Sequence, residues 1–232
     1  MTMLKSGAMI GCFISLWLAV CVCAADANAQ AAPLFSFSDD FSAAALKPEW
    51  SSTTTSLAVN VAPSGQRFLG RAGGNDGLFN DTVKLTLTGI PATGVAIVEF
   101  NLFIIRSMDG HEPFVFNANS DRFEAAFTFS NLKIASHTEV SQSYPWPGST
   151  PLTGAQGVET LHYNVLNPTH YSDATYHLRF QVPYAVQAPT ITDPTPNSIH
   201  FEFSMYGLTP DITDESWGLD TVSVVIRKST TE

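Results

Sequence analysis

The spacing of the apolar residues constrains the fold most strongly, because it follows a period of two and not the helical period of about 3.6. Apolar residues alternate with polar ones or form short runs, and Gly, Pro, Asn or Asp bounds each run. This pattern is typical of β-strands separated by turns, and no amphipathic helical segment of useful length accompanies it. We therefore predict an all-β chain with nine strands, at 34–39, 57–61, 82–88, 94–105, 122–129, 160–165, 175–184, 198–206 and 219–227.

The connections between the predicted strands indicate a two-sheet architecture. The segments Ser141–Ala155 and Pro183–Asn197 are rich in Pro and small polar residues, which is typical of loops and not of a linker between two cores. Nine strands with long connections favour an antiparallel jelly-roll β-sandwich, galactose-binding-like or concanavalin A-like, over a short-turn meander. We predict one such domain over residues 30–232.

The first 29 residues have the pattern of a secretory signal peptide. Lys5 precedes the apolar stretch Met9–Cys23, and a small-residue A-N-A pattern follows at 27–29. The alternative is a retained membrane anchor. We expect cleavage near Gln30, a secreted or periplasmic protein, and no membrane insertion after cleavage.

Cysteine content and charge narrow the possible chemistry. All three cysteines lie within the first 29 residues, so the mature chain has no disulfide, thiol nucleophile or cysteine metal ligand. The net charge is −10, and the mature chain keeps it because Lys5 and Asp26 cancel. This charge argues against nucleic acid and anionic membranes as partners and is compatible with divalent cations.

Two predicted strands, 175–184 and 198–206, carry polar side chains along one face. Such a row is the solvated outside of an antiparallel sheet or, where the strands share a concave sheet, the floor of a ligand site. The binding alternative predicts four ligand residues: His177 and Arg179 on the first strand, and His200 and Glu202 on the second.

An aromatic loop offers a second kind of ligand contact. Trp146 lies between Pro145 and Pro147, and Tyr144 precedes them. Sugar rings stack on Trp and Tyr faces, and a stiff loop lowers the entropy cost of binding. We predict Tyr144 and Trp146 as ligand contacts; the alternative is that Trp146 folds back over the end of the sandwich.

Two aspartates fall on apolar strand faces. By strand parity, Asp220 shares a face with Val222 and Val224, and Asp39 shares one with Phe37. Such a carboxylate needs a cation or hydrogen-bond donors, and Ca²⁺ between the first and last strands would satisfy both. The alternative is that each Asp caps a turn at a strand end. The calcium alternative assigns four ligands: Asp39, Asp220, Asp40 and Asp214.

Three segments resemble one group of proteins. FSDDFS at 37–42, TVKLTLTGIP and VEFNLFIIRSMDG within 82–110, and DESWGLDTVSV at 214–224 are similar to segments of secreted bacterial jelly-roll proteins related to lectins and carbohydrate-binding modules. In that group the last strand commonly reads Trp-Gly-Leu-Asp-Asn-Val; here Thr221 stands in place of the Asn, and Met108 in place of a Trp. The resemblance implies a structural Ca²⁺ near the joined termini and assigns no catalytic residue.

Catalytic signatures are missing from the sequence. It has no E-x-D-x-x-E, G-x-S-x-G or H-E-x-x-H motif. A glycosidase needs two carboxylates across one bond, and Glu124 with Glu202 is the one pair predicted to share a face. We therefore expect a secreted, non-enzymatic, calcium-stabilised module that binds carbohydrate or another extracellular surface. The alternatives are a polysaccharide-active enzyme, lyase or glycosidase, and a structural envelope or matrix protein.

Overall fold

Antiparallel strand pairing accounts for the regular structure of the chain, seen in a computed structural model. The structure describes residues 32–74, 76–106, 113–119, 127–133, 161, 163, 173–186, 197–208 and 211–229. All of them belong to one compact unit, Ala32–Glu232. In these ranges no helix has the length and hydropathy that a membrane span requires.

The apolar alternation of the sequence produces the strands. Those expected at 57–61 and 82–88 have the predicted bounds, and the one predicted to begin at 219 begins four residues earlier. The strands are β1 Phe35–Asp39, β2 Trp50–Ser52, β3 Leu57–Val61, β4 Arg67–Arg71, β5 Thr82–Thr88, β6 Thr93–Arg106, β7 Pro113–Asn119, β8 Phe127–Lys133, β9 Ala174–Ala185, β10 Ser198–Met205 and β11 Glu215–Arg227.

The strands form two sheets. The six-stranded sheet has the order β3-β4-β11-β6-β9, with β1 also paired to β11, and the five-stranded sheet has the order β2-β5-β10-β7-β8. The first and last strands are therefore neighbours, and Asp39 lies opposite Val222. This arrangement confirms the predicted all-β class, a two-sheet antiparallel jelly-roll sandwich.

Aromatic side chains fill the space between the sheets. Phe100 of β6 meets Phe203 of β10 with ring centroids 5.1 Å apart, and Phe116 of β7 stacks on Phe180 of β9 at 4.4 Å. Fully burying one such side chain contributes about 1.5–3 kcal/mol. Because one parity of each strand faces this core, the other parity faces outward.

A second apolar cluster covers part of the outer face of the six-stranded sheet. Gly218 of β11 lies beneath it, where a Cβ atom would come within 2.4 Å of the Phe68 ring. Leu161 and Tyr163 contact the cluster without forming a strand, so the strand predicted at 160–165 is wrong at these two positions. This outer cluster consists of Ala62, Phe68, Phe103, Ile105 and Leu161.

A β-bulge interrupts β11. Its pairing with β6 shifts between Asp220 and Ser223, and Thr221 has a φ of 49°. Leu219 before the bulge and Val222 after it both pack in the core between the sheets. The parity prediction that placed Asp220 on the face of Val222 is therefore wrong, because the extra residue turns Asp220 to the outer face.

Candidate functional site

The candidate site is the open part of the outer face of the six-stranded sheet. Three neighbouring strands, β11, β6 and β9, each contribute two polar residues in register, and the strands lie about 4.8 Å apart. One row crosses the strands from Asp220 to Asn101 and His177, and the next from Ser223 to Glu99 and Arg179. We call these six residues the polar ladder.

The side chains of the polar ladder hold one another in place. Arg179 Nε donates to Glu99 Oε1 at 2.7 Å, and the two side chains are 46% and 37% exposed. His177 Nδ1 lies 3.2 Å from Asn101 Oδ1. An amide oxygen only accepts, so this contact requires a hydrogen on Nδ1.

Asp220 marks the end of the open face, where the outer cluster begins. Its Oδ1 accepts a hydrogen bond from Thr221 N at 2.7 Å. Burial raises the pKa of Asp220 above its ordinary value, against hydrogen bonds from Thr221, Gln66 and Asn101 that lower it. The carboxyl group is therefore both buried and surrounded by neutral donors.

Backbone contacts fix the covered part of the same face. Ser64 N, in the turn between β3 and β4, donates to the carbonyl of Leu161 at 3.0 Å. Buried Asp173 accepts hydrogen bonds from Arg106 N at 3.0 Å and from Tyr163 N at 3.4 Å. These contacts hold Leu161 and Tyr163 at the outer cluster.

The structure does not bring the four predicted ligand residues on β9 and β10 together. His177 and Arg179 lie on the outer face of the six-stranded sheet, whereas His200 and Glu202 lie on the outer face of the five-stranded sheet. Glu202 pairs with Lys84 at 3.2 Å, and the His200 and Glu202 side chains are 12% and 25% exposed. The Arg179 and Glu99 side chains are 46% and 37% exposed, against 35% and 25% for Lys84 and Glu202, so the ion pair of the polar ladder is the more accessible of the two.

Several predicted residues lie outside the part of the chain that the structure describes. They are the aromatic pair Tyr144 and Trp146, the carboxylate Glu124, and the whole of residues 1–29. The stacking role of Tyr144 and Trp146 stays a prediction, as does the signal peptide.

Asp39 obtains its hydrogen bonds from the protein. Phe41 N donates to Oδ1 at 3.1 Å, and Trp50 Nε1 donates to Oδ2 at 3.0 Å. The bond from the residue two positions on is the turn-capping arrangement that the sequence left open. Both oxygens of this buried carboxylate are thus satisfied, and Trp50 is a partner that the sequence reasoning did not identify.

The described residues do not assemble the four carboxylates predicted as calcium ligands. Asp220 lies on the opposite face of the sheet from Asp39, and Asp214 lies eight residues from Val222, roughly 26 Å along an extended strand. Asp40 accepts a hydrogen bond from Ser42 N at 3.0 Å. Within the described ranges no three His, Cys, Asp or Glu residues are grouped for a metal ion. Calcium binding itself stays a prediction.

Glu99 and Asn101 belong to the site although the sequence reasoning did not select them. They are the two polar residues in the otherwise apolar run from Val95 to Ile105, and they share one face of β6. That interruption is the signal that could have identified them.

Comparisons with known proteins found similar solved structures but no family. No protein-family model and no curated protein matches the chain. Among solved structures, the mannan-recognising carbohydrate-binding module TmCBM27 is 13% identical with a TM-score of 0.44, over 83% of this chain and 96% of that one. The CBM22-1 xylan-binding domain from Paenibacillus barcinonensis Xyn10C is 11% identical with a TM-score of 0.38, over 84% and 95%. The K1 cleaved adhesin domain of Lys-gingipain from Porphyromonas gingivalis W83 is 12% identical with a TM-score of 0.37, over 82% and 97%. The structural neighbours thus include carbohydrate-binding modules, and this similarity concerns the fold alone.

Proposed function

We propose that this chain is a secreted, non-enzymatic module that binds carbohydrate or another hydroxyl-rich extracellular surface through the polar ladder. The exposed, mutually fixed pair of Arg179 and Glu99, in register beside His177 and Asn101, is the observation that carries the proposal. Four polar side chains at regular spacing on one rigid sheet form a pre-organised hydrogen-bonding surface.

The chemistry of the polar ladder matches hydroxyl groups. A hydroxyl both donates and accepts, a guanidinium donates, a carboxylate accepts, and a serine hydroxyl does both. Hydrogen bonds to charged groups are the stronger ones. Because the Arg179–Glu99 contact already restrains both side chains, a ligand loses less conformational entropy in ordering them.

A glycan array combined with a turnover assay tests this function. We expect wild-type protein to bind glycans on the array and to release no reducing ends or unsaturated products from the polysaccharides it binds. Turnover that is lost in Glu202→Gln would support the enzyme alternative. Absence of binding to every glycan would support a structural envelope or matrix role.

Secretion is supported by the sequence pattern of the first 29 residues. Mass analysis of exported protein should place the new N-terminus near Gln30. An intact residue 1 in the membrane fraction would support the anchor alternative.

Calcium enters the proposal as a hypothesis about stability, separate from ligand binding. An ion that binds the folded chain alone must raise its melting temperature as free calcium rises. Hydrogen bonds from Phe41 N and Trp50 Nε1 satisfy the buried Asp39 carboxylate without a calcium ion. Melting curves that coincide in calcium and in EGTA would end the calcium hypothesis and leave the binding proposal intact.

A further inference from the structure

A depression of about 190 Å³ lies where β1 ends beside the bulge of β11. Ser38, Asp40, Lys47, Thr221 and Ser223 contribute to its lining. Ser223 also belongs to the polar ladder, and Ser38 lies opposite Ser223 in the pairing of β1 with β11. The depression is therefore continuous with the candidate site and extends it to a fourth strand.

Thr221 lines the depression and has a strained backbone conformation. Its φ of 49° lies in the left-handed region, where a β-branched residue is an outlier, and its side chain is exposed. Strained residues of this kind persist where the surrounding structure over-determines them, and they cluster at ligand sites. The bulge that imposes this strain also places Thr221 in the lining of the depression.

The charged groups of the depression are Lys47 and two carboxylates, Asp39 and Asp40. Lys47 Nζ donates to the carbonyl of Ser38 and lies 5.1 Å from the centroid of the Phe37 ring. Hydrogen bonds from Ser42, and then the charge of Lys47, hold the pKa of Asp40 below its ordinary value. An ammonium has three donors, so Lys47 keeps donors for a ligand while its charge is matched by that of Asp40.

We propose that this depression is an end subsite for one hydroxyl-bearing unit of a neutral, linear oligosaccharide that lies across β9, β6, β11 and β1. This inference rests on the proposed function. Three gaps between strands span about 14 Å, which is longer than one sugar ring. We expect a neutral ligand because each cation on its path lies near an anion: Arg179 near Glu99, and Lys47 near Asp40. Asp39 and Asp220, which also lie there, carry carboxyl groups, so no excess positive charge is left to attract an anionic ligand.

The test is calorimetric titration with neutral linear gluco-, xylo- and manno-oligosaccharides of one to six units, led by the series that the array selects. Wild-type protein should bind long members at least about tenfold more tightly than members too short to reach the depression. The double variant Asp40→Asn/Lys47→Met keeps the net charge and should lose that advantage while binding short members unchanged. Lys84→Met/Glu202→Gln, the same charge change on the five-stranded sheet, should match the wild type.

A second variant keeps the test decisive if the double variant is unstable. Thr221→Gly relieves the strained backbone and should therefore melt no lower than the wild type. It also removes the Thr221 side chain from the depression, so it should reduce the higher affinity for long oligosaccharides. Two results would overturn the subsite: wild-type affinity that does not depend on oligosaccharide length, or a length dependence that both variants retain. In either case a loss of affinity in Arg179→Ala would show that the polar ladder still binds glycan. Failure of wild-type protein to bind any member or any other glycan would overturn the proposed function and the subsite with it.

Discussion

Thr221 is the residue at which sequence and local geometry conflict most. The resemblance places Asn at this position, and Asn enters the left-handed region far more readily than a β-branched residue does. At a φ of 49°, Asn would fit this position at a lower cost in backbone strain than Thr221 does. The same bulge directs Asp220 outward, so one backbone angle decides which face carries the carboxylate.

Replacing Thr221 with Asn should therefore stabilise the fold. We expect the free energy of unfolding to rise by about 1 kcal/mol, as measured by chemical denaturation, because the strained conformation costs Asn less. Thr86→Asn is the control: Thr86 lies in β5 without a positive φ, and Asn is a poorer strand residue than Thr. Equal destabilisation by both substitutions would contradict a strained Thr221.

The raised pKa of Asp220 predicts a dependence of stability on pH. The folded chain holds this proton more tightly than the unfolded chain, so its stabilising contribution is present below the ordinary pKa of 3.8 and is lost as pH rises through the folded value. The stability of Asp220→Asn relative to wild type should therefore rise between about pH 3 and pH 7 in thermal melts. A bound calcium ion predicts the reverse at neutral pH: the variant would melt lower in calcium.

At the scale of elements, alternation predicts strands well where turns bound them clearly. β3 and β5 have the predicted bounds because turn residues flank a short apolar run in β3 and an alternating run in β5. β2 was not predicted because three residues are too few to show a period. β4 was not predicted because Gly70 interrupts its apolar pattern. The bulge in β11 could not be predicted, since a fixed period of two assumes that no residue is inserted.

The candidate site was predictable in part for the same reason. Alternation along β9 alone indicates that His177 and Arg179 face away from the core. Their partners Asn101 and Glu99 follow from the register of β9 on β6, which joins residues almost eighty positions apart. No local sequence pattern determines that register, so the sequence alone could not predict that these residues form the polar ladder.

A hydrogen bond between β2 and β1 links the two sheets at one edge. Trp50 Nε1 donates to Asp39 Oδ2 at 3.0 Å, and both groups are buried. Trp50→Phe leaves that oxygen without its donor and should cost about 1–3 kcal/mol in urea denaturation, beyond the loss of packing. A double-mutant cycle with Asp39→Ala, which removes the acceptor, isolates this interaction. Strictly additive costs would show that the bond does not contribute.

At the scale of the whole molecule, the sandwich presents two polar faces of unequal accessibility. The ion pair of the polar ladder, Arg179 and Glu99, has side chains that are 46% and 37% exposed, against 35% and 25% for the ion pair of Lys84 and Glu202 on the other face. The chain has a net charge of −10, yet the Arg179–Glu99 pair is electrically balanced. A neutral hydroxylated ligand suits such a surface, and we expect its binding to change little with salt.

The most direct measurement is the affinity of two double variants for the glycan that the wild type binds. His177→Ala/Arg179→Ala removes two groups from the polar ladder, and His200→Ala/Glu202→Gln removes the corresponding groups from the five-stranded sheet. By calorimetry the first variant should lose roughly tenfold to a hundredfold in affinity, because hydrogen bonds to charged groups are worth about 1.5–3 kcal/mol, and the second should match the wild type. Loss of binding in the second variant with full affinity in the first would contradict the assignment of the site.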